Sequence, residues 1–112
     1  MILVTLKMIV HPKRRSDILE AMRGMLEPAR VERGCLSYCL YEDVENRNVF
    51  VLLEEWATQA DLERHIRTEN VQRLLALMDL LSVQPELQFH TVSQTAGMEL
   101  IDDVLKTDKI GR

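Results

Sequence analysis

Two rhythms of apolar residues run along the chain. Residues 2 to 10, ILVTLKMIV, are rich in branched side chains and read as a β-strand. Pro12 suits the first turn of a helix, and from there Ile18, Met22, Met25, Leu26 and Ala29 fall on one helical face. That helix is expected to reach about Arg33, with a kink at Pro28 and a stop at Gly34. Leu36 to Asp43 and Val49 to Trp56 read as two strands joined by the polar turn VENRN, a hairpin. Thr58 is a good helix N-cap with Asp61 three residues on, the spacing of a capping box, and Leu62, His65 and Ile66 share the face that follows. A break near Thr68 and Glu69 leads to a second apolar helix carrying Val71, Leu74, Leu75, Met78 and Leu81. Pro85 to Ser93 is the last strand. The order βαββαβ, with its second helix split, predicts one α+β domain over residues 1–94, ferredoxin-like, with helices on one face of a mostly antiparallel sheet.

The strands are apolar on both faces. Val49, Val51 and Leu53 lie on one side of the third strand, and Phe50, Leu52 and Trp56 on the other. The first strand places Leu3 and Ile9 opposite Ile2, Val4, Leu6 and Met8. A sheet with helices on one side and water on the other alternates with polar residues instead. No segment remains to cover the second face, so a second copy packed about a two-fold axis is expected, giving a homodimer. The tail, residues 95–112, carries Met98, Leu100, Ile101, Val104 and Leu105 and is expected to dock on the body or the partner subunit, with its last residues, 106–112, frayed.

Composition narrows the function classes. The 112 residues carry a net charge of −4, which gives no electrostatic reason to seek nucleic acid. Lys13, Arg14 and Arg15 read as a solvated first turn rather than a phosphate-binding patch. No run reaches the roughly 20 apolar residues of a membrane helix. The N-terminal apolar run has its basic cluster after it, the reverse of a signal peptide, so the expectation is a cytoplasmic protein without a membrane partner. Cys35 and Cys39 alternate onto one strand face about 13 Å apart, too far for a disulfide, which needs about 7 Å. They read as buried, reduced residues.

Much familiar chemistry is missing. The four glycines cannot build a P-loop or a dinucleotide fingerprint, and there is no G-x-S-x-G elbow. His11, His65 and His90 lack H-E-x-x-H spacing, so no metal site is expected; His65 and Glu69 read as an i,i+4 pair. Glu54 and Glu55 alternate to opposite faces. One is expected in solvent and the other on a helix terminus or a basic partner such as Lys7. His90, in line with Glu86 and Gln88, reads as structural.

RGCLSYCLYED, VFVLLEEWATQADLERHI and PELQFHTVS together resemble the antibiotic biosynthesis monooxygenase family, including its quinol monooxygenase-like members. The shared pattern is Gly34-Cys35 before the second strand, Glu54, Glu55 and Trp56 closing the third, and His65 on the next helix. The resemblance spans most of residues 2 to 94. It implies a dimeric α/β barrel of two face-to-face sheets, with a pocket between sheet and helices. Catalytic members of the family add oxygen to phenolic or quinol substrates without flavin, haem or metal, so no cofactor is implied. Other members of the superfamily degrade haem, isomerise small metabolites or have no known activity. Relatives often carry a second His where this chain has Asn70. Haem-degrading relatives place a His ligand where this chain has Leu75, which cannot bind iron.

Cofactor-free oxygenation needs a base to remove a phenolic proton and an apolar pocket for substrate and O₂. His65 is the candidate catalytic base, since imidazole titrates near neutral pH. Trp56, Asn70 and Tyr38 are the candidate pocket residues, Asn70 to orient a substrate oxygen and the aromatics as a wall or hydrogen-bond donor. The expected ligand is a small aromatic or quinol-like molecule. The alternative is a non-catalytic dimer of the same fold that binds a small ligand or a partner protein, with a packed His65; haem degradation and isomerase activity rank below both.

Overall fold

The computed structural model describes the backbone of residues 1–110 and the side chains of residues 1–107. Strand β1 (Ile2–Ile9) leads through a short 3₁₀ turn at Pro12–Arg14 into α1 (Arg15–Arg30). The hairpin of β2 (Cys35–Glu42) and β3 (Val49–Trp56) follows. Helices α2 (Gln59–Ile66) and α3 (Glu69–Met78) precede β4 (Glu86–Thr91) and α4 (Met98–Ile110). The sheet is wholly antiparallel in the order β2-β3-β1-β4, the ferredoxin-like arrangement that the element order predicts.

Register explains why both strand faces are apolar. Ile2, Val4, Leu6 and Met8 stand beside Trp56, Glu54, Leu52 and Phe50 and face the helices. All eight are buried, together with Ile18, Met22, Met25 and Ala29 of α1, Leu62 of α2 and Leu74 of α3. The opposite face carries Leu3, Thr5, Lys7 and Ile9 beside Glu55, Leu53, Val51 and Val49, and among the described residues no helix packs across it, although Val49 at its hairpin end is buried. Glu86, Gln88 and His90 of β4 line the same open face.

Three local expectations change. Cys35 and Cys39 do not share a face: a bulge between Cys35 and Ser37 shifts the phase, so Cys35 pairs with Trp56 on the helix side and Cys39 with Leu53 on the open side. Both are free thiols. Helix α1 starts and ends inside the predicted span. His11 Nδ1 accepts from the Lys13 amide, which holds Pro12–Arg14 in the 3₁₀ turn. Beyond Arg30, three-residue hydrogen bonds from Glu32 N to Ala29 O and from Cys35 N to Glu32 O tighten the chain into a turn. Leu81 falls past the end of α3, and the break at Thr68 is an N-cap whose hydroxyl accepts from Val71 N.

Gly34 closes that turn at φ +81°, and a Cβ there would lie 2.1 Å from the Asp61 carboxyl group. Asp61 is itself fixed by Thr58, which caps α2 as expected, and by Arg64 at 2.8 Å. Gly34→Ala should therefore cost about 2–4 kcal/mol, combining left-handed backbone strain with a displaced Asp61. Urea denaturation measures it, and a loss below about 1 kcal/mol would mean that Asp61 swings aside freely.

Helix α4 leaves its apolar residues in water. Met98, Leu100, Ile101, Val104 and Leu105 are each half or more exposed. The backbone stays helical through Ile110, where fraying is expected, and residues 111–112 lie outside the described residues.

Candidate functional site

The strand-to-helix junction after β3 builds a buried cluster around one imidazole. Thr58 caps α2, and His65 sits in the last turn on the helix's inner face with only 1% of its surface exposed. Trp56, wholly buried at the end of β3, stacks on the His65 ring at 4.4 Å and 28°. Tyr38 of β2 meets the same ring edge-on at 5.5 Å and 72°. Two candidate pocket aromatics thus fix the plane of the candidate base from behind. Neither lines the cavity described below.

Both nitrogens of the ring face carboxylates. Glu32, in the turn after α1, lies at 3.0 and 2.9 Å from Nδ1, one oxygen each. A carboxylate there accepts, so Nδ1 carries a proton and donates it to Glu32. Nε2 lies 3.6 Å from Glu54 Oε1, beyond hydrogen-bond reach, and has no partner although fully buried. A bare nitrogen lone pair tolerates this better than an N–H would, and Nδ1–H with a free Nε2 is the tautomer of a general base.

Glu54 is buried among apolar neighbours, and Oε1 accepts from the Trp56 indole N–H at 2.9 Å. Burial raises its pKa above the ordinary carboxylate range, against the opposing effects of the Trp56 hydrogen bond and His65. Burial also pushes the Tyr38 phenol far up, with Glu54 and Glu32 adding to the shift, so Tyr38 stays a neutral phenol at any working pH.

His65, whose Nε2 is sealed and unpartnered, is one of the residues lining a cavity of about 50 Å³ between the sheet and helices α2 and α3. Among the described residues, His65 and Glu54 are its only ionisable lining residues; Val4, Leu6, Leu62 and Leu74 form the inner wall. Leu75, Leu87 and Phe89, each about half exposed, flank it on the outer side with Met78. The volume holds a few water molecules. It is smaller than the roughly 150 Å³ apolar cavity that accommodates a benzene ring. A larger open cleft of about 230 Å³, between α1 and β2, contains none of the predicted site residues, and its Arg15 is occupied by Glu42 and the Arg47 carbonyl.

Asn70 is not brought to this cluster. It lies in the first turn of α3, where its side chain accepts from Arg73, and does not line the cavity. Glu69 pairs with Arg73 rather than with His65, because the turn at Thr68 separates α3 from α2. Glu55 accepts from Ser37 on the open face, and Glu54 faces the core rather than solvent or Lys7. Two residues that sequence reasoning missed therefore frame His65. Glu54 had a signal, since it shares the strand face of Phe50, Leu52 and Trp56. Glu32 had none, because it stands 33 residues away in a turn set by Gly34. Among the described residues no three His, Cys, Asp or Glu side chains converge as a metal would require, since the two carboxylates address opposite sides of one ring.

Comparison with known proteins places this arrangement. The model of the antibiotic biosynthesis monooxygenase family matches residues 1–77. The chain belongs to that family. An uncharacterized Synechocystis protein, sll1783, is 30% identical over 87 residues, covering 77% of this chain but only 59% of its own length. YcnE of Bacillus subtilis, provisionally named a monooxygenase, is 33% identical over 67 residues, covering 60% of this chain and 70% of the relative. Among solved structures, Rv0793 of Mycobacterium tuberculosis superposes with a TM-score of 0.78 at 25% identity, covering 86% of this chain and 98% of that one. The family match includes Glu32, Tyr38, Glu54, Trp56 and His65, so the whole cluster lies within the antibiotic biosynthesis monooxygenase domain. Helix α4 lies beyond it. No helix of the described residues is long and apolar enough to cross a membrane.

Proposed function

We propose that this protein is a cofactor-independent monooxygenase acting on a small quinol or polyphenol. The observation that carries the reading is that His65, with an unpartnered Nε2, stands beside Glu54 in the lining of an otherwise apolar cavity. A phenol in that cavity places its O–H against Nε2, the proton moves to the imidazole, and Glu32 steadies the imidazolium that forms. The phenolate is electron-rich enough to reduce O₂ itself. A hydroquinone and one O₂ give a hydroxylated quinone and one water, so one oxygen atom enters the ring and the substrate supplies all four electrons. The apolar wall suits both a ring and molecular oxygen, and the family membership supports the reaction class.

Oxygen uptake by metal-free protein against a panel of hydroquinones tests this, with ¹⁸O₂ to follow the transferred atom. Saturable uptake with one labelled atom in the product supports the reading. Binding of such ligands without uptake would favour the alternative, a ligand-binding dimer without turnover, for which the tight packing of His65 and the small cavity speak.

The working unit we propose is a homodimer in which the open sheet faces meet. Leu3, Val51 and Leu53 form the apolar centre of that face, with Cys39 and Tyr41 beside them. Light scattering should give twice the chain mass, and Leu53→Lys should give a monomer by burying a charge at the contact. A wild-type monomer at all concentrations would overturn the assembly.

A further inference from the structure

The proposed oxygenase chemistry leaves one buried ionisable group at the cavity unused. His65 accounts for the proton taken from the substrate. The reaction must also give a proton back, because oxygen that has added to a phenolate is a peroxide anion, and the lining of the cavity is otherwise apolar. Glu54 is the other ionisable group lining the cavity. We propose that Glu54 is the acid of the site, a carboxyl group protonated at rest that donates its proton to the peroxide oxygen. This assignment rests on the oxygenase reading given above.

The geometry favours that proton position. His65 Nε2 has no acceptor in reach, so an N–H there would be buried and unpaired. Glu54 lines the cavity, and because the indole of Trp56 engages its Oε1, Oε2 is left to carry the same proton. The groups facing Glu54 from other elements are His65 on α2, Glu32 in the turn after α1, and Tyr38 and Cys35 on β2. None is a Lys or Arg that would hold Glu54 ionised. Its neighbours across β1 and α3, Val4 and Leu74, are apolar.

The proton balance closes on this pair. Nε2 takes the phenolic proton. The phenolate carbon and O₂ form a C–O bond, and the distal oxygen takes the Glu54 proton to give a hydroperoxide. The O–O bond then breaks as the ring C–H proton returns to Glu54, and the departing hydroxide takes the proton from His65 as water. Until Glu54 gives up its proton, the imidazolium is balanced by the phenolate and then by the peroxide anion; once the hydroperoxide has formed, the pair is an imidazolium beside a carboxylate. Site and substrate together therefore never carry an added net charge.

The experiment is Glu54→Gln in the full chain, read in two ways. Infrared difference spectra of wild type against the variant, at neutral pH and without substrate, should contain the carbonyl stretch of a protonated carboxylic acid. With hydroquinone, kcat should fall about 10²-fold or more with little change in KM, and the alkaline fall in the wild-type rate should disappear. A missing infrared band would overturn the proposal. So would a variant that keeps both the rate and the pH profile, as a structural role would allow. Should the wild-type protein turn over no quinol, the oxygenase reading fails and the catalytic role of Glu54 with it; the infrared band, which needs no turnover, reports separately whether the protonated carboxyl exists.

Discussion

Metal-independent oxygen uptake should fall by about 10²–10⁴-fold when His65 is replaced by alanine, the range that a positioned general base contributes. His65→Asn is the more informative partner. Its amide can still donate to Glu32 from near the place of Nδ1, while nothing replaces the buried, unpartnered Nε2. Both variants should lose turnover, but they should differ in stability. Alanine leaves a hole against Trp56 and faces two buried or half-buried carboxyl groups with no partner between them, so it should melt well below wild type. Asparagine should lose less. Stopped uptake in a well-folded His65→Asn protein assigns the loss to the imidazole. Uptake at the wild-type rate in that variant would remove His65 from the chemistry and leave Glu54 as the only ionisable group on the cavity wall.

How far the site can be read from the sequence depends on the distance over which each residue is positioned. The period of Leu62, His65 and Ile66 places His65 on a helix, and the cap at Thr58 fixes where that helix begins, so both are local facts of the chain. Trp56 and Tyr38 sit on strands whose alternation is plain, and both meet the His65 ring. What alternation could not reveal is a bulge. The extra residue near Leu36 reverses the phase of Cys35 relative to Cys39, and one glycine-ended turn decides where Glu32 goes. A glutamate at the end of an apolar strand also has two ordinary fates, solvent or a surface partner. Only the antiparallel register, which puts Glu54 beside Val4 and in front of Leu62 and His65, brings a carboxyl group into the core. Asn70 shows the converse. Five residues after His65 is more than one helical turn in an unbroken helix, but the cap at Thr68 starts a new axis and turns Asn70, half-buried, toward Arg73 and away from the cluster.

The largest effect on stability should come from Trp56. It is wholly covered, stacked on His65 and bonded through its indole to Glu54, and Trp56→Ala should cost about 3–5 kcal/mol. Against the roughly 5–15 kcal/mol that holds a domain together, this is enough to threaten folding at growth temperature. Trp56→Phe separates the two roles of the indole. The ring stays, so most packing is kept, while Glu54 loses the hydrogen bond that steadies its ionised form. The direction with pH follows from linkage. A carboxyl group whose pKa is higher folded than unfolded binds its proton more tightly in the native state. Its contribution is complete below the ordinary carboxylate range and is lost as pH rises through the folded value. Removing the indole donor raises the folded value further, so the deficit of Trp56→Phe relative to wild type should be small in acid and should grow as the solution becomes neutral and then alkaline. Melting temperatures of both proteins across that range measure the difference. A deficit that does not change with pH would mean that the indole holds Glu54 in place without affecting its charge, and that the position of the proton is set by burial alone.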